Sequence, residues 1–157
     1  MKVKDIMTKS ACSVKASQHL NEAANLMWEF DCGCIPVSDE NERITGVITD
    51  RDICMAAYTK GLPIEMIPVS TTMSATIYSC SEQDSLESAE DVMRHHQVRR
   101  LPVLDKKQKL VGILSLNDIA LAYGNRSLGS SVKATDVAKT LASVCKHSHG
   151  SLMSIAS

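Results

Sequence analysis

Residues 3–57 slide onto residues 69–123 without a gap, and 13 of the 55 aligned pairs are identical. The stretch "GVITDRDI" (Gly46–Ile53) returns as "GILSLNDI" (Gly112–Ile119), and "IPV" (Ile35–Val37) returns as "LPV" (Leu101–Val103). Identities fall on glycine, proline, aspartate and aliphatic positions, where backbone geometry and packing constrain a chain most. Two copies are fewer than a solenoid needs for a continuous core. The duplication therefore predicts a closed pair in which each half covers the other.

Each copy reads in the same order. A short extended segment (Ala11–Val14; Ile77–Cys80) leads into a helix with apolar residues three and four apart: Leu20, Ala23, Ala24, Met27 and Phe30, then Leu86, Ala89 and Met93. Met27 and Met93 belong to the core, and Ser17 and Asp84 sit where helix N-caps are expected. Strands follow at "CIPV" and "RLPVL". Their Pro36 and Pro102 cannot donate to a ladder, so a strand start or an edge is expected. Polar turns ("DENER", "DKKQK"), β-branched strands ("ITGVIT", "LVGILS") and apolar helices ("RDICMAAY", "NDIALAY") complete the unit. This order predicts an α/β (α+β) fold of two repeats, each a small sheet packed against helices.

The expected boundaries are a first repeat over 1–58, a linker over 59–68 rich in Gly61, Pro63 and Pro68, and a second repeat over 69–124. A C-terminal tail over 125–157 opens with the Gly/Ser linker "GNRSLGSS". A short amphipathic helix is expected from near Thr135 (Val137, Leu141, Val144), then a disordered Ser/His-rich end.

Hydrophobic residues make up 44% of the chain, enough for a core, yet only five are Trp, Tyr or Phe. Aliphatics, methionine and alanine must fill it. A net charge of −1 provides no general attraction to nucleic acid or anionic membranes. The basic cluster "RHHQVRR" (Arg94–Arg100) is too short for a nucleic-acid footprint. No apolar run approaches the length of a membrane span, and the first residues do not resemble a signal peptide. A cytoplasmic protein without membrane or nucleic-acid partners is expected, with its six cysteines as reduced thiols. There is no P-loop, GxSxG or HExxH and no legible catalytic triad, so no enzymatic activity is expected.

The duplicated unit has "IMT" near its start, aliphatic–Pro–Val in its middle and Gly-aliphatic-aliphatic-Thr/Ser-x-x-Asp near its end. It resembles the cystathionine-β-synthase (CBS) domain, and the tandem resembles a CBS pair, or Bateman module, over roughly residues 1–124. The resemblance implies pseudo-twofold symmetry, facing sheets with two clefts between them, and homodimerisation through helices. It also implies binding of an adenosyl compound (AMP, ADP, ATP or S-adenosylmethionine), no cofactor, and regulation of an unidentified protein.

The chemistry of the repeated motif suits such a ligand. A carboxylate can accept from both ribose hydroxyls in charge-assisted bonds. A hydroxyl three residues earlier, at a helix entrance, can donate to phosphate beside free backbone N–H groups. The resemblance implies that each cleft is shared between repeats. One site would combine Val47, Thr49, Arg51 and Asp52 with Tyr78, Ser79 and Val98. The other would combine Ile113, Ser115, Asn117 and Asp118 with Cys12, Ser13, Cys32 and Cys34, with Arg99 and Arg100 near the phosphate. The first repeat has "CGCIPV" where the second has "VRRLPV", so Thr49 and Arg51 would hold phosphate alone in the first site. Tighter binding is expected in the second.

Two other functions fit the same residues. Thr49 and Ser115 can simply cap the helices that follow, with Asp52 and Asp118 complementing the helix dipoles. That leaves a dimerisation module with vestigial sites. Alternatively, Cys32 and Cys34 with Cys12, or Cys145 with His147 and His149, can make a thiol-based metal or redox sensor.

Overall fold

The computed structural model describes residues 1–9, 11–124 and 133–146. Strand β1 (Val14–Lys15), helix α1 (Leu20–Glu29), strands β2 (Cys34–Ser38) and β3 (Ile44–Thr49) and helix α2 (Asp50–Lys60) form one half. Strand β4 (Cys80–Ser81), helix α3 (Leu86–His96), strands β5 (Arg100–Leu104) and β6 (Leu110–Ser115) and helix α4 (Leu116–Gly124) form the other. The two three-stranded sheets run β1-β2-β3 and β4-β5-β6, each with one parallel and one antiparallel pairing.

Polar turns set the register of both hairpins. Asp39 Oδ1 accepts from the backbone N–H of Asn41 (2.8 Å) and Arg43 (2.9 Å), and Asp105 Oδ1 does the same for Lys107 (2.8 Å) and Lys109 (2.9 Å). In β3, Ile44, Gly46 and Ile48 are buried while Val47 and Thr49 lie on the opposite, less buried face. In β6, Gly112 and Leu114 are buried, and Ile113 and Ser115 take the other face. The period of two thus turns the hydroxyl residues away from each core.

The cores do not follow the sequence repeats. Val3 and Met7, which open the first copy, are buried among Leu86, Met93, Leu101 and Leu114 of the second half. Ile67 and Val69 are buried among Leu20, Met27, Ile35 and Ile48 of the first half, with Met73 packed against them. Each leading segment crosses to the opposite half. Thr8 exchanges both backbone bonds with Ile113 (2.9 and 2.9 Å), and Ser74 exchanges them with Val47 (2.9 and 3.0 Å). These crossings explain the repeated glycines. A Cβ on Gly112 would lie 2.8 Å from the Thr8 carbonyl oxygen and 2.9 Å from Met7 Sδ. On Gly46 it would lie 2.7 Å from the Ser74 oxygen and 2.9 Å from Met73 Sδ.

Pro36 and Pro102 occur in the central strand of each sheet, not in an edge strand. The ladder tolerates them because β1 and β4 begin pairing only at Val37 and Val103, so each proline precedes the doubly paired stretch. The expected caps at Ser17 and Asp84 are also displaced. The N-caps are His19 and Ser85. Ser17 Oγ donates to Glu40 Oε1 (2.8 Å), and Asp84 Oδ2 accepts from the Ser81 N–H (2.8 Å).

Helix α5 (Ala134–Val144) packs on α3 and α4. Val144 is buried, but Leu141 is 51% exposed, so the expected apolar face is only partly used. In its place Thr140, fully buried, donates to Glu90 Oε1 (3.1 Å) and accepts from Arg94 Nη1 (2.7 Å). The Ser/His-rich end expected to be disordered lies outside the described residues, as does the Gly/Ser linker after Gly124.

Candidate functional site

Two cavities open between the repeats, and both repeats line each of them. The first, about 670 Å³, takes Val47, Thr49 and Arg51 from the end of β3 and the start of α2. Facing them from the second repeat are Tyr78, Val98, Arg99 and Arg100. The second cavity, about 280 Å³, takes Ile113, Ser115, Asn117 and Asp118, faced by Cys12, Cys32 and Cys34 of the first repeat. Cys34 and Arg100 border both. The register explains this: Cys34 pairs with Thr49, and Arg100 with Ser115, where strand meets helix.

Five expected residues are placed differently. Arg99 lines the first cavity and not the second, and Arg100 reaches both. The first site therefore gathers Arg51, Arg99 and Arg100 and does not depend on Thr49 and Arg51 alone, which removes the ground for favouring the second. Ser13 does not line the second cavity; its Oγ donates to Ser38 Oγ (3.4 Å), and it borders a separate surface hollow with Gln18 and Asn21. Ser79 and Asp52 line neither cavity.

The hydroxyl groups are also committed. Thr49 Oγ1 donates to Asp52 Oδ2 (2.7 Å) and accepts from the Asp52 N–H (3.2 Å), while the Thr49 N–H donates to the same carboxylate (2.9 Å). Ser115 and Asp118 repeat the arrangement at 2.6, 3.2 and 2.7 Å. Each is a reciprocal capping box. A hydroxyl has one proton, and here it goes to the carboxylate. The Arg51 N–H is held by Asp50 Oδ1 (2.7 Å), so the entrance of α2 does not offer the free donors expected for phosphate. The guanidiniums of Arg51, Arg99 and Arg100 are the cationic groups lining the cavities. Asp118 Oδ1 accepts from Thr8 Oγ1 (3.3 Å), and both residues line the second cavity.

Thr8 and Ser74 were absent from the expected sites, as were Phe30 and Asp31 in the second cavity and Gln97 and Pro102 in the first. Thr8 and Ser74 occupy equivalent repeat positions, in "IMTKS" and "TTMSA", and that equivalence was visible in the sequence. Their crossing to the opposite half was not. Tyr78 stacks on His96 with ring centroids 3.8 Å apart and planes 15° apart, which leaves one ring face for a ligand.

Burial pushes the Cys34 thiol up to about 11, against the lowering effect of Arg100, and burial also raises Cys12. Both are protonated thiols at neutral pH and therefore weak nucleophiles. Among the described residues no three His, Cys, Asp or Glu side chains converge on a cation site. Cys145 is described and exposed, whereas His147 and His149 lie outside the described residues. Among the described residues no helix is long and apolar enough to cross a membrane.

Two halves, each a three-stranded sheet with helices, and a cavity lined by both repeats at each strand–helix junction define a paired α/β module. The chain belongs to the CBS domain family, whose profile matches residues 3–58 and 68–125. It is 40% identical over 131 residues to CBS domain-containing protein YhcV of Bacillus subtilis, covering 83% of this chain and 91% of that protein. It is 33% identical over 140 residues to Hypoxic response protein 1 of Mycobacterium tuberculosis, covering 89% and 97%. The crystal structure of that protein, described with two coordinated zinc ions, superposes with a TM-score of 0.70 over 77% of this chain and 98% of that one. The crystal structure of CBSX2 in complex with AMP is 28% identical with a TM-score of 0.66, over 77% and 94%.

Proposed function

We propose that this chain is a non-enzymatic regulatory module that binds adenosine-containing ligands, AMP, ADP, ATP or S-adenosylmethionine, between its repeats. The carrying observation is that each cavity is lined by both repeats, so any ligand there contacts both at once. Such a ligand favours whichever relative arrangement of the halves it fits better, and only by its differential affinity for the two. CBSX2, a relative of the same fold, has been crystallised with AMP, which supports an adenosine ligand. A partner protein reads the resulting change in repeat angle or self-association.

Thermal unfolding with AMP, ADP, ATP, S-adenosylmethionine and GTP as a control tests this. Ligand at 100 times its dissociation constant adds about 2.7 kcal/mol of stability. Asp118→Ala probes the second cavity, with Asp52→Ala as the control for loss of a capping box, each compared with its own ligand-free baseline. Asp118 borders a cavity and Asp52 does not, so the larger loss is expected for Asp118→Ala. No shift with any ligand would refute ligand sensing.

A second function, self-association alone, is favoured by one observation. Trp28 on α1 and Tyr58 on α2 are 89% and 83% exposed, and Met55 and Met66 add to the uncovered apolar surface. Ligand-independent homodimerisation in sedimentation, with no thermal shift, would support it.

A further inference from the structure

The two cavities differ in charge far more than their repeat relationship suggests. Arg51, Arg99 and Arg100 line the first, and no Asp or Glu does. At the equivalent positions of the other copy stand Asn117, Gly33 and Cys34. Among the described residues none of the three guanidiniums takes part in an ion pair. Asp31 and Asp118 line the second cavity against Arg100 alone, so carboxylates outnumber guanidiniums there. The first cavity also has more than twice the volume, about 670 against 280 Å³.

We propose that the cavities take different classes of adenosine ligand: the first a polyphosphate such as a nucleoside di- or triphosphate, the second an uncharged or cationic adenosine compound. This rests on the adenosine-binding function proposed above and assigns ligand class within it. Guanidiniums pair phosphate oxygens through two parallel N–H donors, and three around one cavity match a chain of phosphates better than a single one. Backbone N–H groups at the start of α2 do not compete, because Asp50 and Thr49 hold them. In the second cavity a phosphate would meet two carboxylates. An uncharged thioether or a sulfonium there avoids that repulsion and faces the neutral thiols of Cys12 and Cys34.

Arg100 stands in the wall common to both cavities. A polyphosphate that draws its guanidinium into the first cavity moves a positive charge away from the second, where Asp31 and Asp118 also line the wall. That deepens the second cavity's preference for a cation. Filling the first site with an anion thus favours a positively charged ligand in the second.

Calorimetric titration of the full chain with ATP and, separately, 5′-methylthioadenosine tests the assignment in wild type, Arg51→Ala and Ile113→Trp. Arg51 is exposed, so its truncation leaves the core intact, and a melting curve confirms folding of each variant. The expected result is an ATP affinity at least tenfold weaker in Arg51→Ala with 5′-methylthioadenosine unchanged, and the reverse pattern in Ile113→Trp. Raising the salt from 50 to 300 mM weakens ATP only. Equal weakening of both ligands by Arg51→Ala, or loss of ATP in Ile113→Trp alone, overturns the division while adenosine binding stands. Failure of wild type to bind any adenosine compound, including AMP and S-adenosylmethionine, overturns both.

Discussion

Met7 belongs by sequence to the first repeat, yet its side chain is 8% exposed in the core of the second half, over Gly112. Truncation of a buried methionine costs about 2–5 kcal/mol, a large part of a domain's usual total of about 5–15 kcal/mol. Gly112→Ala costs about 1–3 kcal/mol by overpacking. The new methyl would sit 2.9 Å from Met7 Sδ and 2.8 Å from the Thr8 oxygen. Thr8 cannot retreat without losing its two 2.9 Å bonds to Ile113, so the methionine must yield. Removing Met7 removes one of the two collisions. The double variant Met7→Ala/Gly112→Ala should therefore cost less than the sum of the singles, by at least about 0.5 kcal/mol. Met7→Ala with Gly46→Ala should be additive within about 0.5 kcal/mol, since Gly46 is crossed by Met73 instead. Urea denaturation of the six proteins, with m-values compared, measures both cycles. Coupling of Met7 to Gly46 and not to Gly112 would refute the crossing and return each leading segment to its own half.

Burial holds the Glu90 carboxyl above the ordinary carboxylate range, with Thr140 and Arg94 acting the other way and Asp136 and Asp91 adding to the rise. The folded chain then binds a proton before the unfolded chain does as pH falls. This contribution is fully present below the unfolded value and is lost as pH rises through the raised folded one. Glu90→Gln should flatten that slope and raise the urea midpoint at pH 8 more than at pH 4. Iodoacetamide at pH 7.5 should modify the exposed Cys54 and Cys145 first and spare Cys34 and Cys80, whose thiols burial pushes up to about 11 and 12; peptide mass spectrometry reads the order. Gln97 is left-handed (φ 54°), and its Nε2 donates to the carbonyls of Ser143 (3.3 Å) and Lys146 (3.1 Å). Gln97→Gly relieves roughly 1 kcal/mol of backbone strain but should increase hydrogen exchange in the last turn of α5. Ser115→Ala should cost about 0.5–2 kcal/mol by opening its capping box, seen as a lower melting temperature without ligand.

Much of this was legible in the chain. The gapless repeat announced two like halves, and the three-and-four spacing of Leu86, Ala89 and Met93 marked a helix whose buried face carries those three residues. The period of two in "ITGVIT" separated Ile44 and Ile48 from Val47 and Thr49 before any sheet was seen. The clefts' sharing between repeats was implied by family resemblance. Cap positions failed because Ser17 and His19, or Asp84 and Ser85, are separated only by where the chain turns, and that depends on backbone bonds to Ile67 and Met1 far along the sequence.

The sequence alone determined what depends on near neighbours: alternation along strands, helical faces, polar turns closed by Asp39 and Asp105, and the Thr49–Asp52 and Ser115–Asp118 pairs three residues apart. Only the tertiary structure decided which half receives Val3 and Met7, why Gly46 and Gly112 must lack a side chain, and which cavity Arg99 faces. Those outcomes rest on contacts between segments far apart in the chain, such as Gly46 with Met73 and Gly112 with Met7, whose partners are chosen by burial across the pair. A repeat leaves that choice open, because equivalent segments present nearly the same apolar surface to either half. Local spacing shows which residues can meet a ligand; the crossing of the chain decides which of them meet it together.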